Sequence, residues 1–265
     1  LYSSAASDVY KRQAVDVAGG RLRIAVHVSD NSAARVLDQI ESAARWGAEI
    51  AVVAAPYFFL NATPERQLEH YREIARRSGL PMGFYDRGAA SPYLLPESHL
   101  AELLAEPGIV MVKDSSANEA RRDRYVAAKA TRPALMLFSG DEFTCVNYLR
   151  AGYDGLLLGG AIFNARLAHR IIAAVRAGDL MAAEKWQSRM IDLMHRVYGG
   201  PQIECWLTGL KELLVQMGVF STYANLLGYP LTEHCRAQIR AAVTGADGLG
   251  FSDELATLPG GVPTR

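Results

Sequence analysis

The feature that most constrains the fold is an alternation of short apolar runs and amphipathic segments that begins near Arg21. The apolar runs have the length of buried strands. There are six of them, at 22–28, 49–55, 82–86, 109–114, 134–139 and 155–160. Between them lie segments with helical spacing, at 32–46, 64–78, 96–105, 117–130 and 142–152. Strands that alternate with helices form a parallel sheet with the helices outside it. The pattern therefore predicts either an open doubly wound sheet or a (β/α)₈ barrel.

The pattern changes after the sixth run, where only helical segments follow. They lie at 164–176, 179–198, 204–217 and 232–243. A helical appendix of this size is more typical of the end of a closed barrel than of the edge of an open sheet. Six strands are two fewer than a barrel needs. We therefore predict an α/β fold, a (β/α)₈ TIM barrel that lacks roughly its first two βα units and carries a C-terminal helical extension.

The first thirteen residues are expected to stand outside this fold. They show neither helical nor strand periodicity, and the string LYSSAASDVYKRQ resembles translated sequencing-adapter read-through. We interpret 1–13 as a non-native leader, 14–163 as the barrel portion and 164–265 as the helical extension. A truncated front end replaced by such a leader would account for the two missing strands.

Charge and cysteine content exclude several classes of partner. Lys and Arg together equal Asp and Glu together, at 28 each, so no global basic field attracts nucleic acid or an anionic membrane. Three widely spaced cysteines, Cys145, Cys205 and Cys235, argue against a disulfide framework and favour a reducing cytoplasm. No apolar run approaches the roughly 20 residues of a spanning helix. A cytoplasmic protein is expected.

Several conspicuous patterns have structural explanations. The six histidines show no metal-binding spacing, which disfavours a metal-dependent aldolase, and His27 is interpreted as a core or mouth histidine. Gly159-Gly160 could hold a phosphate, but close backbone approach or a tight turn is preferred. Gly199-Gly200 is interpreted as a helix stop. The arginines of 121–124 are interpreted as a solvated helix face.

A lysine at the end of the fourth apolar run is the first candidate for chemistry. The run 109–112 ends on Lys113, and reactive groups of a barrel lie at the carboxyl ends of its strands. Partial shielding from water favours the neutral amine, which attacks carbonyl carbons. The simpler alternative is a lysine that reaches solvent where the strand stops. Tyr85 occupies the equivalent place on the preceding strand, so a Schiff-base amine and a proton-carrying phenol could meet, unless Tyr85 only plugs the strand end.

The order of five motifs resembles the dihydrodipicolinate synthase/N-acetylneuraminate lyase family. The motifs are PYFF (56–59), GLPMGFYD (79–86), GIVMVKDSSAN (108–118), LFSGDE (137–142) and AGYDGLLLGG (151–160). The resemblance covers roughly 20–245. It implies a class I (β/α)₈ enzyme for pyruvate and other 2-oxo acids, with Lys113 as the Schiff-base lysine and Tyr85 as the proton carrier. It also implies a homo-oligomer, a dimer or tetramer, with no metal or organic cofactor.

The same resemblance indicates further residues that contact substrate. They are Tyr57, Ser139, Asp141, Glu142, Leu157 and Gly159. The adjacent acids 141–142 resemble the pair with which sialic acid lyases hold sugar hydroxyls, which favours a hydroxylated 2-oxo acid.

The chain also departs from the family pattern. Nothing in it matches the carboxylate-binding glycine–threonine motif of the family's second strand. Phe58 stands where synthases have an interface tyrosine, and Arg87 is out of register with their ligand-binding arginine. Gly159 stands where sialic acid lyases have a serine. These differences disfavour a role in lysine biosynthesis, and the glycine does not support sialic acid itself as the substrate.

The function predicted from the sequence is pyruvate-releasing cleavage of a hydroxylated 2-oxo acid through a lysine Schiff base. One alternative is condensation of pyruvate with an aldehyde, as in a 4-hydroxy-tetrahydrodipicolinate synthase. A second is a sugar-phosphate aldolase that uses Gly159-Gly160 for phosphate. A third is a non-catalytic barrel that binds a 2-oxo acid.

Overall fold

The sheet has six strands that follow one another in chain order. The computed structural model of the chain describes residues 4–245 and 250–255. The strands are β1 (Ala25–His27), β2 (Ile50–Ala54), β3 (Met82–Asp86), β4 (Ile109–Asp114), β5 (Met136–Ser139) and β6 (Gly155–Leu156). Their order in the sheet is β1-β2-β3-β4-β5-β6, and the pairs from β1 to β5 are parallel. A doubly wound sheet reverses its order at a switch point, so this sequential order identifies a half-barrel of the TIM type.

Helices occupy the predicted segments between and after the strands at nearly the predicted positions, and the first and last of the described helices are additional to the prediction. They are α1 (Ser4–Ala18), α2 (Ala33–Arg45), α3 (Pro64–Arg77), α4 (Glu97–Leu104), α5 (Glu119–Thr131), α6 (Cys145–Arg150), α7 (Ala161–Arg176), α8 (Leu180–Tyr198), α9 (Trp206–Gln216), α10 (Glu233–Thr244) and α11 (Ser252–Leu255). A 3₁₀ turn covers Gly88–Ala90. In the described ranges, none of these helices has the length and apolar character needed to cross a membrane.

Local sequence explains where the helices begin and end. The side chains of Ser32 and Thr63 cap α2 and α3 by accepting hydrogen bonds from backbone N–H groups in the first turn. Pro64 occupies the first position of α3, where its missing N–H is not needed. At the end of α8, Gly199 adopts a left-handed conformation with φ of 84°. The predicted helix stop at Gly199-Gly200 is confirmed.

Residues 1–141 and 151–155 form one compact unit, described from residue 4 onward. The outer face of its sheet packs on helices: the ring of Phe84 on β3 meets the ring of Tyr71 on α3 edge-on, 5.1 Å between centroids. The inner face holds a smaller apolar cluster of Ile50, Val52 and Met111. Since side chains alternate between the faces of a strand, the inner face is where the candidate site residues emerge.

Residues 142–150 and 156–265 form the second unit, described as far as 245 and again at 250–255. Its core is helical, and α6 contributes Cys145 to the same buried cluster as Phe163 of α7 and Met190 of α8. For this reason 142–150 and 156–163 group with the C-terminal helices, whereas the sequence placed the boundary after 163. The parts of the predicted extension at 246–249 and 256–265 lie outside the described residues.

The N-terminal segment differs from the sequence-based expectation. No regular element was predicted for 1–13, yet Ser4–Ala18 is one helix. Alanine is the strongest helix former and recurs along this segment. The helix also packs on the end of α2, where the Lys11 amine lies 5.6 Å from the centre of the Trp46 ring. Such a tertiary contact cannot be read from local periodicity. Residues 1–3 lie outside the described residues, and the non-native origin of 1–13 stays a prediction.

Candidate active site

Tyr85 and Lys113 lie side by side at the carboxyl ends of adjacent strands. They are direct register partners in the β3–β4 pair. The Lys113 Nζ lies over the face of the Tyr85 ring, 4.3 Å from its centroid, in a cation–π arrangement. Both side chains are half-buried, so each is shielded on one side and accessible on the other. The proximity predicted from their equivalent strand positions is confirmed.

The amine of Lys113 has no fixed negative partner in the described part of the chain: no carboxylate lies within 4.0 Å of it. The carboxylates of the adjacent residue Asp114 and of its register partner Asp86 lie on the opposite face of the sheet. Asp86 is paired there with Arg121. Lys113 can therefore lose its proton without breaking an ion pair, which a nucleophilic amine requires.

Gly140 makes room for the lysine stem. A Cβ atom at this position would lie 3.3 Å from Lys113 Cε and only 2.0 Å from Ser115 Oγ. The Gly140 N–H also donates to the Asp114 carbonyl oxygen at 2.6 Å, which holds the loop after β5 close to the end of β4. Only glycine leaves the space that Lys113 and Ser115 occupy.

His27 is a neighbour of the pair that the sequence analysis did not assign to the site. Its ring meets the Tyr85 ring edge-on, with centroids 6.1 Å apart. Nε2 lies 2.6 Å from Ser29 Oγ, and that oxygen accepts the Ala54 N–H at 2.7 Å. The pKa of His27 is lowered mainly because surrounding protein displaces water from the ring, and the positive charge of Lys113 lowers it further. Of the two positions expected, core or mouth, the structure places His27 in the mouth. Strand alternation is the signal that could have found it.

A buried ion pair supports the strand that carries Tyr85. The Asp86 carboxylate accepts hydrogen bonds from Arg121 Nε and Tyr125 Oη, both at 2.5 Å. Burial and the Asp86 charge raise the pKa of Tyr125 well above its ordinary value, which keeps its proton in place as a donor. The expectation of a solvated arginine face is wrong for Arg121, whose side chain is 3% exposed. Positions 121 and 125 share the inward face of α5, while Arg124 stays exposed.

A second buried carboxylate supports the strand that carries Lys113. Asp114 accepts hydrogen bonds from the Ser116 N–H at 2.9 Å and from Tyr153 Oη at 2.7 Å. Burial raises the pKa of Asp114, and these hydrogen bonds oppose the rise. Its register partner on β5 is Ser139, which is fully buried. Asp86 and Asp114, which directly follow Tyr85 and Lys113 in the chain, are therefore both held in place on the outer face.

The remaining predicted residues of the first unit lie at different depths. Ser139 Oγ accepts the Asp141 N–H at 3.1 Å, so these two are adjacent at the end of β5. Asp141 is half-buried. Tyr57, on the loop after β2, is 70% exposed. The structure therefore brings together Ser139 and Asp141, and leaves Tyr57 on an open loop.

The other predicted residues belong to the second unit. The Glu142 carboxylate accepts hydrogen bonds from the Gly160 N–H and, at 3.3 Å, from Tyr198 Oη. A Cβ atom at Gly160 would lie 2.9 Å from that phenolic oxygen, so close approach is confirmed as the reason for this glycine. Burial, and then the Glu142 charge, raise the pKa of Tyr198. Leu157 and Gly159 are exposed.

A sequential parallel half-barrel of this kind places the chain in the TIM-barrel class of α/β proteins. A family model described as the dihydrodipicolinate synthetase family matches residues 7–246. The chain belongs to this family.

Individual relatives agree with the family match. A 4-hydroxy-tetrahydrodipicolinate synthase from Acidiphilium cryptum (strain JF-5) is 30% identical over 231 residues, covering 87% of this chain and 77% of the relative. The solved dihydrodipicolinate synthase of Thermotoga maritima is similar in fold, with a TM-score of 0.81 at 20% identity, over 93% of this chain and 82% of its own. A chloride-inhibited synthase of Acinetobacter baumannii, solved with pyruvate, has a TM-score of 0.78 at 24% identity, over 92% of this chain and 82% of its own.

Proposed function

We propose that the protein is a class I, Schiff-base enzyme that joins pyruvate to an aldehyde. The observation that carries the proposal is the Lys113 amine, 4.3 Å from the centre of the Tyr85 ring and free of a carboxylate partner in the described residues. Family membership supports the reaction class, and relatives named as synthases favour condensation over the cleavage that the sequence analysis preferred.

The proposed reaction begins at Lys113. Its neutral amine adds to the keto carbon of pyruvate, and the resulting carbinolamine loses water to form a protonated imine. The positive imine nitrogen withdraws electrons, so a proton leaves the methyl carbon and an enamine forms. That carbon then bonds to the aldehyde carbon, and the aldehyde oxygen takes up a proton. Water hydrolyses the imine, which releases a 4-hydroxy-2-oxo acid and restores the lysine.

Tyr85 is the proposed proton carrier. Carbinolamine formation and its dehydration each move a proton close to the lysine nitrogen. The Tyr85 phenol, whose ring lies beside the amine, can give and accept such a proton. The next residue, Asp86, accepts hydrogen bonds from Arg121 and Tyr125, and these bonds anchor this end of β3. An anchored strand end keeps the phenol within reach of the intermediates.

Tyr57 and Asp141, which belong to the same compact unit as Lys113, are proposed to bind substrate oxygens. Ser139 is fully buried beside Asp114 on the outer face, so it is proposed to support the end of β5 rather than to contact substrate. For Glu142, Leu157 and Gly159, which belong to the second unit, contact with substrate stays a prediction. Asp141 favours a second candidate function, cleavage of a hydroxylated 2-oxo acid, because a half-buried carboxylate can hold hydroxyl groups. This candidate uses the same imine and enamine in reverse order.

Exchange of the methyl protons of pyruvate in D₂O, followed by proton NMR, tests the proposal without knowledge of the aldehyde. The protein should accelerate exchange over buffer, since exchange requires the enamine. Lys113→Ala should abolish the acceleration, and Tyr85→Phe should reduce it by about 10²- to 10⁴-fold. Lys185→Ala, on the exposed face of α8, is the matched control and should behave as wild type. Exchange at the buffer rate, or undiminished exchange in Lys113→Ala, would overturn the proposal.

A further inference from the structure

We propose that His27 contacts the substrate directly, donating a hydrogen bond from Nδ1 to an oxygen in the half of the 2-oxo acid farther from the keto group. This inference rests on the proposed function, because it takes Lys113 as the point at which the 2-oxo acid is held. It deepens that function by naming the residue that would read the hydroxyl groups of the distal half.

The sheet places His27 on the same face as the reactive pair. His27 is the register partner of Val52, and Val52 is the partner of Gly83. Two residues beyond Gly83 on the same strand face is Tyr85, whose partner is Lys113. The ring of His27 is exposed on this face, and its edge contact with Tyr85 turns it toward the pair.

The hydrogen bonds of Ser29 favour one tautomer of the His27 ring. A serine oxygen has one proton to donate and two lone pairs. The Ala54 N–H already occupies one lone pair at 2.7 Å, and the acceptor within reach of the serine proton is His27 Nε2 at 2.6 Å. With the serine proton directed to Nε2, the proton of the neutral ring lies on Nδ1. Across residues 4–245 and 250–255, Nδ1 has no hydrogen-bond partner, which leaves this donor available to a ligand.

The charges around His27 favour this neutral form. Displacement of water by surrounding protein lowers its pKa, and the positive charges of Lys113, Lys11 and Arg87 lower it further. A neutral N–H donor suits a hydroxyl or carbonyl oxygen, and it adds no positive charge beside an amine that must lose its proton.

The distance across the site suits the distal half of a substrate. The Lys113 amine and the His27 ring are each close to the Tyr85 ring, at 4.3 and 6.1 Å from its centroid, so they lie within about 10 Å of each other. Their strands, β4 and β1, are separated by two others, at roughly 4.8 Å per strand, so the two side chains approach only across the width of the site. After a hydrogen bond of about 3 Å, at most about 7 Å remains between the two groups, which is room for an acid of up to five or six carbons.

Three substitutions separate a substrate contact from a structural role. His27→Asn keeps a polar atom at the Nδ1 place, and His27→Gln keeps one at the Nε2 place, where Ser29 is bonded. His27→Phe retains an aromatic ring and removes both nitrogen atoms. Urea denaturation of each variant establishes that the fold is retained before any binding comparison.

The assay is borohydride trapping of the imine over a range of concentrations of three acids: pyruvate, 2-oxopentanoate and 4,5-dihydroxy-2-oxopentanoate. Total covalent adduct gives the half-saturating concentration of each. His27→Phe should raise that value about 3- to 10-fold for the dihydroxy acid alone, the loss expected for one neutral hydrogen bond. His27→Asn should stay within about twofold of wild type, and His27→Gln should resemble His27→Phe.

The outcomes distinguish this inference from the function on which it rests. If wild type traps none of the three acids, the proposed function fails and the inference fails with it. If trapping occurs but His27→Phe shifts all three acids equally, or none, the substrate contact is overturned while the Schiff base stands. If His27→Gln rather than His27→Asn keeps the wild-type half-saturating concentration for the dihydroxy acid, His27 acts through its hydrogen bond to Ser29. That result would likewise overturn the substrate contact.

Discussion

Replacing Asp86 with asparagine should strongly destabilise the first compact unit. The side chains of Asp86 and Arg121 are each 3% exposed, and they form a direct ion pair at 2.5 Å. Asparagine preserves the size of the side chain but leaves the guanidinium buried without a counter-charge. Breaking a buried pair from one side typically costs about 3–5 kcal/mol. With a urea slope of about 2.5 kcal/mol per molar, the unfolding midpoint should fall by about 1 to 2 M.

The tryptophans allow this unit to be monitored separately. Trp46 lies in the first unit, whereas Trp186 and Trp206 lie in the second. With both of the latter replaced by phenylalanine, urea-dependent fluorescence reports on the surroundings of Trp46. The Asp86→Asn substitution is then compared with its parent in that background.

A neighbouring pair on α5 supplies the matched control. Asp123 pairs with Arg122 at 2.9 Å, but its side chain is 67% exposed. Because solvent-exposed ion pairs contribute little, Asp123→Asn should change stability by less than about 1 kcal/mol. A loss below 1 kcal/mol for Asp86→Asn, or equal losses for the two variants, would refute the buried-pair reasoning.

Two further predictions concern Gly140 and His70. Gly140→Ala should slow pyruvate proton exchange by about tenfold or more, because its Cβ would lie 3.3 Å from Lys113 Cε and would displace Ser115. His70→Phe should reduce the loss of unfolding free energy that accompanies acidification. Urea titrations between pH 5 and pH 7, a range around the ordinary histidine pKa, measure that loss. Burial lowers the pKa of His70 below its ordinary 6.5, so the unfolded chain gains protons first as the pH falls, and acid favours unfolding.

Each of these predictions has a control within the chain. Gly79→Ala adds the same methyl group where no atom lies within 4 Å, and it should leave exchange unchanged. His99→Phe is the control for His70, since His99 is only half-buried whereas His70 is 6% exposed. Normal exchange in Gly140→Ala, or an acid response in His70→Phe identical to wild type, would contradict the respective account.

The sheet and most helices could be predicted because their signals are local. Each strand is an apolar run bounded by turn residues, such as Pro107-Gly108 before β4. Several helices begin at a capping residue, such as Thr63 or Thr232. The meeting of Tyr85 and Lys113 could also be predicted, since parallel strands place equivalent positions side by side.

The remainder depends on contacts between residues distant in sequence. Three arginines within four positions form one charge pattern, and only the packing of α5 shows that Arg121 alone is buried against Asp86. Glu142 receives the phenol of Tyr198, 56 residues away, which no local spacing indicates. For His27, an isolated histidine on a strand carries no motif, and its interest comes from Ser29 and Tyr85 around it.

The central claim is that Lys113 forms an imine with a 2-oxo acid, and reduction by borohydride in the presence of pyruvate tests it most directly. Peptide mapping by mass spectrometry then locates the reduced adduct. We expect one adduct per chain, on the peptide that contains Lys113, and none in Lys113→Ala. An adduct on another lysine, or no adduct in wild type that retains its fold, would contradict the claim.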